Sequence, residues 1–192
     1  RTAAKEAQAR VKGSAVVELD RSARAHATAV KRYGLQAAPV PLVLVIAPNG
    51  TAVGASRPGK GATERLVNLV PTPKKAELMQ AFEQRKTSVL VFSRRTMPEQ
   101  SPLYENLSGV TRELKDKVRL VLVDLDDKAE AKFIKEWDVP MASLRPTVVV
   151  LNAKGQALGR LVGTQTTAKI LETSRKRAAC CDDPKCKGCS DG

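Results

Sequence analysis

The chain has 192 residues, room for two domains of roughly 100 residues or one larger one, and no stretch approaches the ~20 apolar residues of a membrane-spanning helix. Hydrophobic residues make up 42% and aromatic ones 3%, so Val, Leu, Ile and Ala must fill any core. The net charge of +13, from 33 Lys and Arg against 20 Asp and Glu, is spread along the chain rather than gathered into a stripe with interleaved aromatics, which weighs against nucleic-acid binding.

Small basic clusters at Lys74-Lys75, Arg94-Arg95 and 175–177 read as solvated surface. Neither a secretory signal nor a Met opens the chain, which implies a processed or cut N-terminus and leaves an exported origin open. Residues 2–12 favour a helix that stops at Gly13. Ala15 to Leu19 read as a buried strand. Asp20 or Ser22 is a candidate cap for a helix to about Arg32, with Ala25, Ala29 and Tyr33 on one face. Gly34 ends it. A Pro-bearing loop leads to Leu42–Ile46, continuous apolar β-formers that predict a strand buried on both faces. Pro48-Asn49-Gly50 predicts a hairpin turn, with Ala52–Ala55 returning. A short helix follows a Gly/Pro loop and runs to about Val70.

Thr72-Pro73 is an N-cap followed by Pro at the first helical position, opening a helix to about Arg85. Ser88–Phe92 predict a buried strand. Thr96-Met-Pro-Glu99 has the spacing of a capping box and predicts a helix from there to about Lys115. Val118–Leu125 predict a strand, and Asp127 caps a helix carrying Ala129, Phe133 and Trp137. Thr147–Leu151 and Ala157–Leu161 predict a hairpin around Lys154-Gly155. Thr166 starts a last helix to about Arg177.

An internal echo joins these two halves at a spacing of about 105 residues. Pro41-Leu-Val-Leu-Val-Ile-Ala-Pro-Asn-Gly50-Thr-Ala-Val-Gly54 reappears as Pro146-Thr-Val-Val-Val-Leu-Asn-Ala-Lys-Gly155-Gln-Ala-Leu-Gly159. Val16-Val-Glu-Leu-Asp20 matches Leu122-Val-Asp-Leu-Asp126, and Tyr33 matches Trp137. The expectation is two small α/β domains in tandem, 1–71 and 72–178, followed by a Cys-rich tail at 179–192. In the fuller copy, helices cover both faces of a central mixed sheet.

The ordered set Ser88–Phe92, Val121–Asp126, Trp137-Asp-Val139, Arg145-Pro-Thr147 and Gly159-Arg-Leu-Val-Gly163 resembles the thioredoxin fold. The resemblance implies a nearly complete domain over about 73–178 and the last two thirds of another over about 1–70. It places an active-site Cys-x-x-Cys between the Ser88–Phe92 strand and the next helix, where helix N–H groups favour thiolate. This chain has Ser93-Arg94-Arg95-Thr96-Met97-Pro98-Glu99 there. Thr96 and Glu99 stand in the cysteine positions and Pro98 on the internal Pro, so dithiol exchange at this slot is excluded. Arg94 and Arg95 beside open helix N–H groups fit an anion site; a capped helix with two solvated arginines is the plainer alternative. The resemblance also implies a cis Arg145-Pro146, whose preceding backbone pairs with an extended peptide. Val40-Pro41 is its candidate in the first copy, with Pro39 a competing choice. There, the first turn of the active-site helix, with any Cys-x-x-Cys, would fall just upstream of Arg1.

All four cysteines lie in the tail: Cys180-Cys181-Asp-Asp-Pro-Lys-Cys186-Lys-Gly-Cys189. Cys186 and Cys189 have the spacing of half a zinc knuckle, with zinc the candidate metal and Cys180 and Cys181 completing the ligand set. Disulfides and free thiols are the alternatives. Disulfides would favour an exported or periplasmic site. The function expected is a redox-inactive scaffold binding a protein or extended peptide. The alternatives are a thiol–disulfide oxidoreductase, with its Cys pair upstream of Arg1 or in the tail, and a metal-binding tail on a thioredoxin-like carrier.

Overall fold

The computed structural model describes residues 2–176, and the chain divides after Pro71 into two compact units. The first contains helices α1 (Thr2–Arg10), α2 (Ala27–Arg32) and α3 (Ala62–Leu69). Its sheet has two antiparallel strands, β1 (Val43–Ile46) and β2 (Ala52–Ser56). The second unit runs α4 (Pro73–Glu83), β3 (Thr87–Ser93), α5 (Gln100–Leu114), β4 (Val118–Asp124), α6 (Ala131–Glu136), β5 (Thr147–Leu151), β6 (Ala157–Val162) and α7 (Thr167–Ser174).

The second unit is built on a four-stranded sheet in the order β4-β3-β5-β6. β3 and β4 are parallel, while β5 runs antiparallel to both β3 and β6. Alternate residues of each strand point to opposite faces, and both faces are covered. On one side Leu90, Phe92, Val121, Val123, Val149 and Leu151 pack on Leu78 of α4 and on Phe133 and Ile134 of α6. On the other, Val89, Val91, Val148 and Val150 pack on Leu103, Leu107 and Val110 of α5 and Ile170 of α7. Each such fully buried side chain contributes about 1.5–3 kcal/mol relative to exposure. This double burial is why β3 and β5 read as unbroken apolar runs.

Polar groups fix where the helices begin. The Thr72 hydroxyl accepts from the Lys75 N–H at 3.3 Å at the start of α4, and the Thr166 hydroxyl accepts from the Lys169 N–H at the start of α7. Glu130 is buried, and its Oε1 accepts from the Lys74 N–H at 2.9 Å. A carboxylate at that helix start satisfies a main-chain donor that would otherwise lack a helical partner.

The first unit departs from expectation in three places. Residues 15–19 form no strand; Val16, Val17 and Leu19 are exposed. A strand needs a neighbour to take its hydrogen bonds, and none of the described segments lies beside this one in a sheet. The helix expected from Asp20 or Ser22 begins instead as a 3₁₀ turn over Arg24–His26 and becomes α-helical at Ala27. The Asp20 carboxylate is spent on a local turn, accepting from both the N–H and the hydroxyl of Ser22. Val30, not Ala25, is the buried residue of that segment. Finally, β1 is half-buried rather than covered on both faces, and Ile46 is 41% exposed.

The two hairpins nonetheless match position by position. Both carry an irregularity in the same place, between Val45 and Ile46 and between Val150 and Leu151. Gly50 and Gly155, at the two turns, have φ of 84° and 81°. Gly54 and Gly159 lie under the following helix, where a Cβ would fall 2.6 Å from Leu69 Cδ2 and 2.7 Å from Thr173 Cγ2 respectively.

Candidate functional site

Between β3 and α5 the chain makes two successive turns, with the Met97 N–H donating to the Arg94 carbonyl and the Gln100 N–H to the Met97 carbonyl, both at 3.1 Å. Met97 is drawn into the core beside Leu90 and Phe92, while Thr96 and Pro98 are exposed. The expected capping box does not form. The helix starts at Gln100, one turn later than expected, with Glu99 at its N-cap and no side-chain capping bond.

Glu99 is engaged elsewhere. Its Oε1 accepts from Arg145 Nε at 2.9 Å. Its Oε2 accepts from the Thr164 N–H and, at 3.2 Å, from the Thr164 hydroxyl. The Arg145 guanidinium, followed by the Thr164 N–H, holds the Glu99 carboxyl below the usual glutamate range. These bonds join three loops: the slot before α5, the loop before Pro146, and the turn after β6. The Gly163 N–H adds a bond to the Pro146 carbonyl at 2.7 Å. A Cβ at Gly163 would overlap the Arg145 guanidinium and crowd Glu99, so glycine is what lets the ion pair lie across this turn. Sequence reasoning identified Glu99 and Arg145 separately and missed Thr164. Their separations of 46 and 65 residues leave no local signal.

The anion site is not assembled. Arg94 turns inward: its Nη2 donates to the Met141 carbonyl and its Nε lies 3.5 Å from Asp126 Oδ1. Arg95 stays exposed, and Glu99 occupies the helix start.

The two proline loops differ. Among the described residues the cis peptide bond is Val40-Pro41, and Arg145-Pro146 is trans, contrary to expectation. Trans is the ordinary X–Pro state, by about 0.5–1 kcal/mol. At Arg145 it is accompanied by local bonds: the Ser143 hydroxyl donates to the Arg145 carbonyl at 2.8 Å and accepts from the Arg145 N–H at 3.4 Å. The main chain there is already engaged. Val40 is 66% exposed, and among the described residues no hydrogen bond engages its main chain.

Cys180, Cys181, Cys186 and Cys189 lie outside the described residues. Among the described residues, no group of three His, Cys, Asp or Glu side chains could hold a metal ion, and no helix is long and apolar enough to cross a membrane.

The parallel β3–β4 pair, the antiparallel β5–β6 hairpin beside it and the helices on both faces decide the architecture. The second unit is an α/β layer fold, a central mixed sheet with helices on both faces. Neither a family model nor a curated protein matches the chain. Solved structures are similar to it. A thioredoxin from Thermus thermophilus shares 26% identity over 51% of this chain and 78% of its own, with a TM-score of 0.42. Thioredoxin-2, a component of the malaria parasite protein secretion machinery, shares 21% over 45% and 79%, with a TM-score of 0.40. StoA from Bacillus subtilis shares 16% over 71% and 98%, with a TM-score of 0.39.

Proposed function

We propose that this chain is a redox-inactive thioredoxin-like scaffold that binds an extended peptide segment of a protein. The observation that carries this is the contrast between its two proline loops. Val40-Pro41 offers an exposed apolar side chain and an unengaged main chain, which strand-like peptides use for affinity. Arg145-Pro146 has its main chain bonded to Ser143 and its side chain to Glu99, so it is the lesser contact. The slot at Arg94, Arg95, Thr96, Pro98 and Glu99 has no thiol to offer, and the bonds of Glu99 tie it down as a structural crosslink.

The test compares the native chain with one whose Cys180, Cys181, Cys186 and Cys189 are replaced by Ser. Both are assayed for insulin reduction and for binding to an array of extended peptides. Neither is expected to reduce insulin. Both are expected to bind the same peptides, and Val40→Asp is expected to weaken that binding by ~10-fold, a loss of about 1.4 kcal/mol. Insulin reduction by the native chain alone would overturn the proposal and make the tail a thiol–disulfide site. Metal content of the same pair tests the tail as a zinc site: stoichiometric zinc lost with the cysteines would support it.

A further inference from the structure

The sheet of the second unit ends on one side at β4, whose sheet neighbour is β3 alone. Just past β4, the Leu125 N–H donates to the Ser93 carbonyl of β3 at 2.9 Å. Main-chain groups of successive strand residues point to opposite sides. Those of Arg119, Val121 and Val123 therefore face β3. Those of Val118, Leu120, Leu122 and Asp124 face outward, along an edge that no described segment pairs with. The Leu120 and Leu122 side chains lie on the α5 face, and Leu122 is 37% exposed. A groove of about 500 Å³ runs beside them, lined by Tyr104, Leu107, Thr111 and Arg112 of α5 together with the two leucines.

Open edges are ordinarily blunted by a charge or a proline within the strand. Arg119, the one charged residue inside β4, does not serve that way: it turns to the opposite face and pairs with Glu77 of α4 at 2.7 Å. The other charges sit at the two ends, with opposite sign. Residues 115–119 hold Lys115, Lys117 and Arg119 against Asp116, and residues 124–128 hold Asp124, Asp126 and Asp127 against Lys128. Asp126 keeps 63% of its side chain exposed beside Arg94. An edge that is basic where it begins, apolar in the middle and acidic where it ends is complementary to itself when turned end for end.

We infer that β4 is a homotypic docking edge, at which a second copy of this chain pairs its own β4, antiparallel, about a two-fold axis through Val121. Leu120 of one copy then lies opposite Leu122 of the other, and the two exchange main-chain hydrogen bonds with their outward groups. The four leucines pack together over the adjoining grooves. The Lys115 and Lys117 end of each copy comes beside the Asp124 and Asp126 end of the other. The centred register pairs all seven residues of β4. A two-residue shift either way shortens the ladder, and a one-residue shift takes the leucines off their shared face. This surface belongs to the second unit and goes beyond the peptide contact proposed at Val40-Pro41, which its failure would leave untouched.

The test uses the full chain in reducing buffer, so that cysteines cannot link copies. Sedimentation equilibrium over a range of concentrations is combined with NMR-detected amide exchange. The expected result is a monomer–dimer equilibrium in which the Leu120 and Leu122 amides slow by ~10-fold or more as the dimer fills. The Val121 amide, bonded to β3 in both states, should change less. Leu122→Lys, at an exposed site, is expected to give a monomer. Lys115→Glu combined with Lys117→Glu is expected to raise the dimer Kd by ~10-fold or more, and circular dichroism checks that both variants fold. A single copy at every concentration, with fast exchange at Leu120 and Leu122, would overturn the inference by showing the edge unpaired. Slow exchange there in a single copy would mean that another part of the same chain covers the edge. A dimer that survives Leu122→Lys would mean that the copies meet elsewhere. Growth beyond two copies would mean that β4 joins a different edge of its neighbour, in an open rather than a closed assembly.

Discussion

The hairpins at 43–56 and 147–162 share a turn, a β-sheet irregularity and a glycine pressed under the next helix, yet they occupy very different surroundings. Every residue of β5 is buried, whereas β1 is half-buried along its length and exposed at Ile46. Local sequence makes the hairpin; it does not make the core. Burial comes from β3, which lies against β5, brings β4 into the sheet, and gives α5 and α7 something to pack on. Among the described residues no such strand lies beside β1, and the residues that match β4 join no ladder.

Paired substitutions at matched positions are the strongest way to break this comparison. Leu151→Ala, at a fully buried site, is expected to cost about 2–5 kcal/mol. Its counterpart Ile46→Ala, at a site 41% exposed, is expected to stay within about 0.5 kcal/mol. Urea unfolding of each variant, followed by exchange at the mutated hairpin, measures both. Equal costs would mean the two hairpins are equally buried in solution.

Glu130 comes next. Glu130→Ala strands the Lys74 N–H at the start of α4 and is expected to cost about 1–3 kcal/mol. Glu130→Gln keeps an acceptor and should cost less, and thermal unfolding of the two variants gives the difference. A comparable effect is expected at the shared glycine. Gly159→Ala forces a methyl against Thr173 in a filled sheet and should cost about 1–3 kcal/mol. Gly54→Ala meets the flexible end of Leu69 in a more open unit, so it should cost less in the same assay.

The smallest effect is electrostatic. The Glu99 carboxyl is held low by Arg145 and Thr164, so the folded form binds its proton less readily than the unfolded form. Its contribution is then complete above the ordinary glutamate range and is lost as the pH falls through the depressed folded value. Glu99→Gln should lower stability at neutral pH and flatten the acid limb of a Tm-against-pH curve for the second unit. An unchanged acid limb would remove the Arg145 and Thr164 bonds from the account.

What was legible in the sequence follows the same division. β3 and β5 announced themselves because strands buried on both faces must be apolar throughout. The caps at Thr72 and Thr166 were legible because a hydroxyl three residues from its N–H partner is a local matter. The start of α5 was not, because Glu99 answers to Thr164, 65 residues away. Residues 15–19 have strand composition without a strand, since composition cannot say whether a neighbour is there. The inward turn of Arg94 likewise depends on Asp126 and Met141, which only the folded chain brings near.

The central claim is that 147–162 lies in a four-stranded sheet buried on both faces, whereas 43–56 lies in a two-stranded, half-buried one. Amide hydrogen exchange on the intact chain, without ligand, tests it most directly. β5 and β3 should exchange only through global opening of their unit, while 43–46 and 15–19 exchange at least ~100-fold faster through local opening. Protection at 43–46 equal to that at 147–151 would contradict the account, because it would require a second strand against β1.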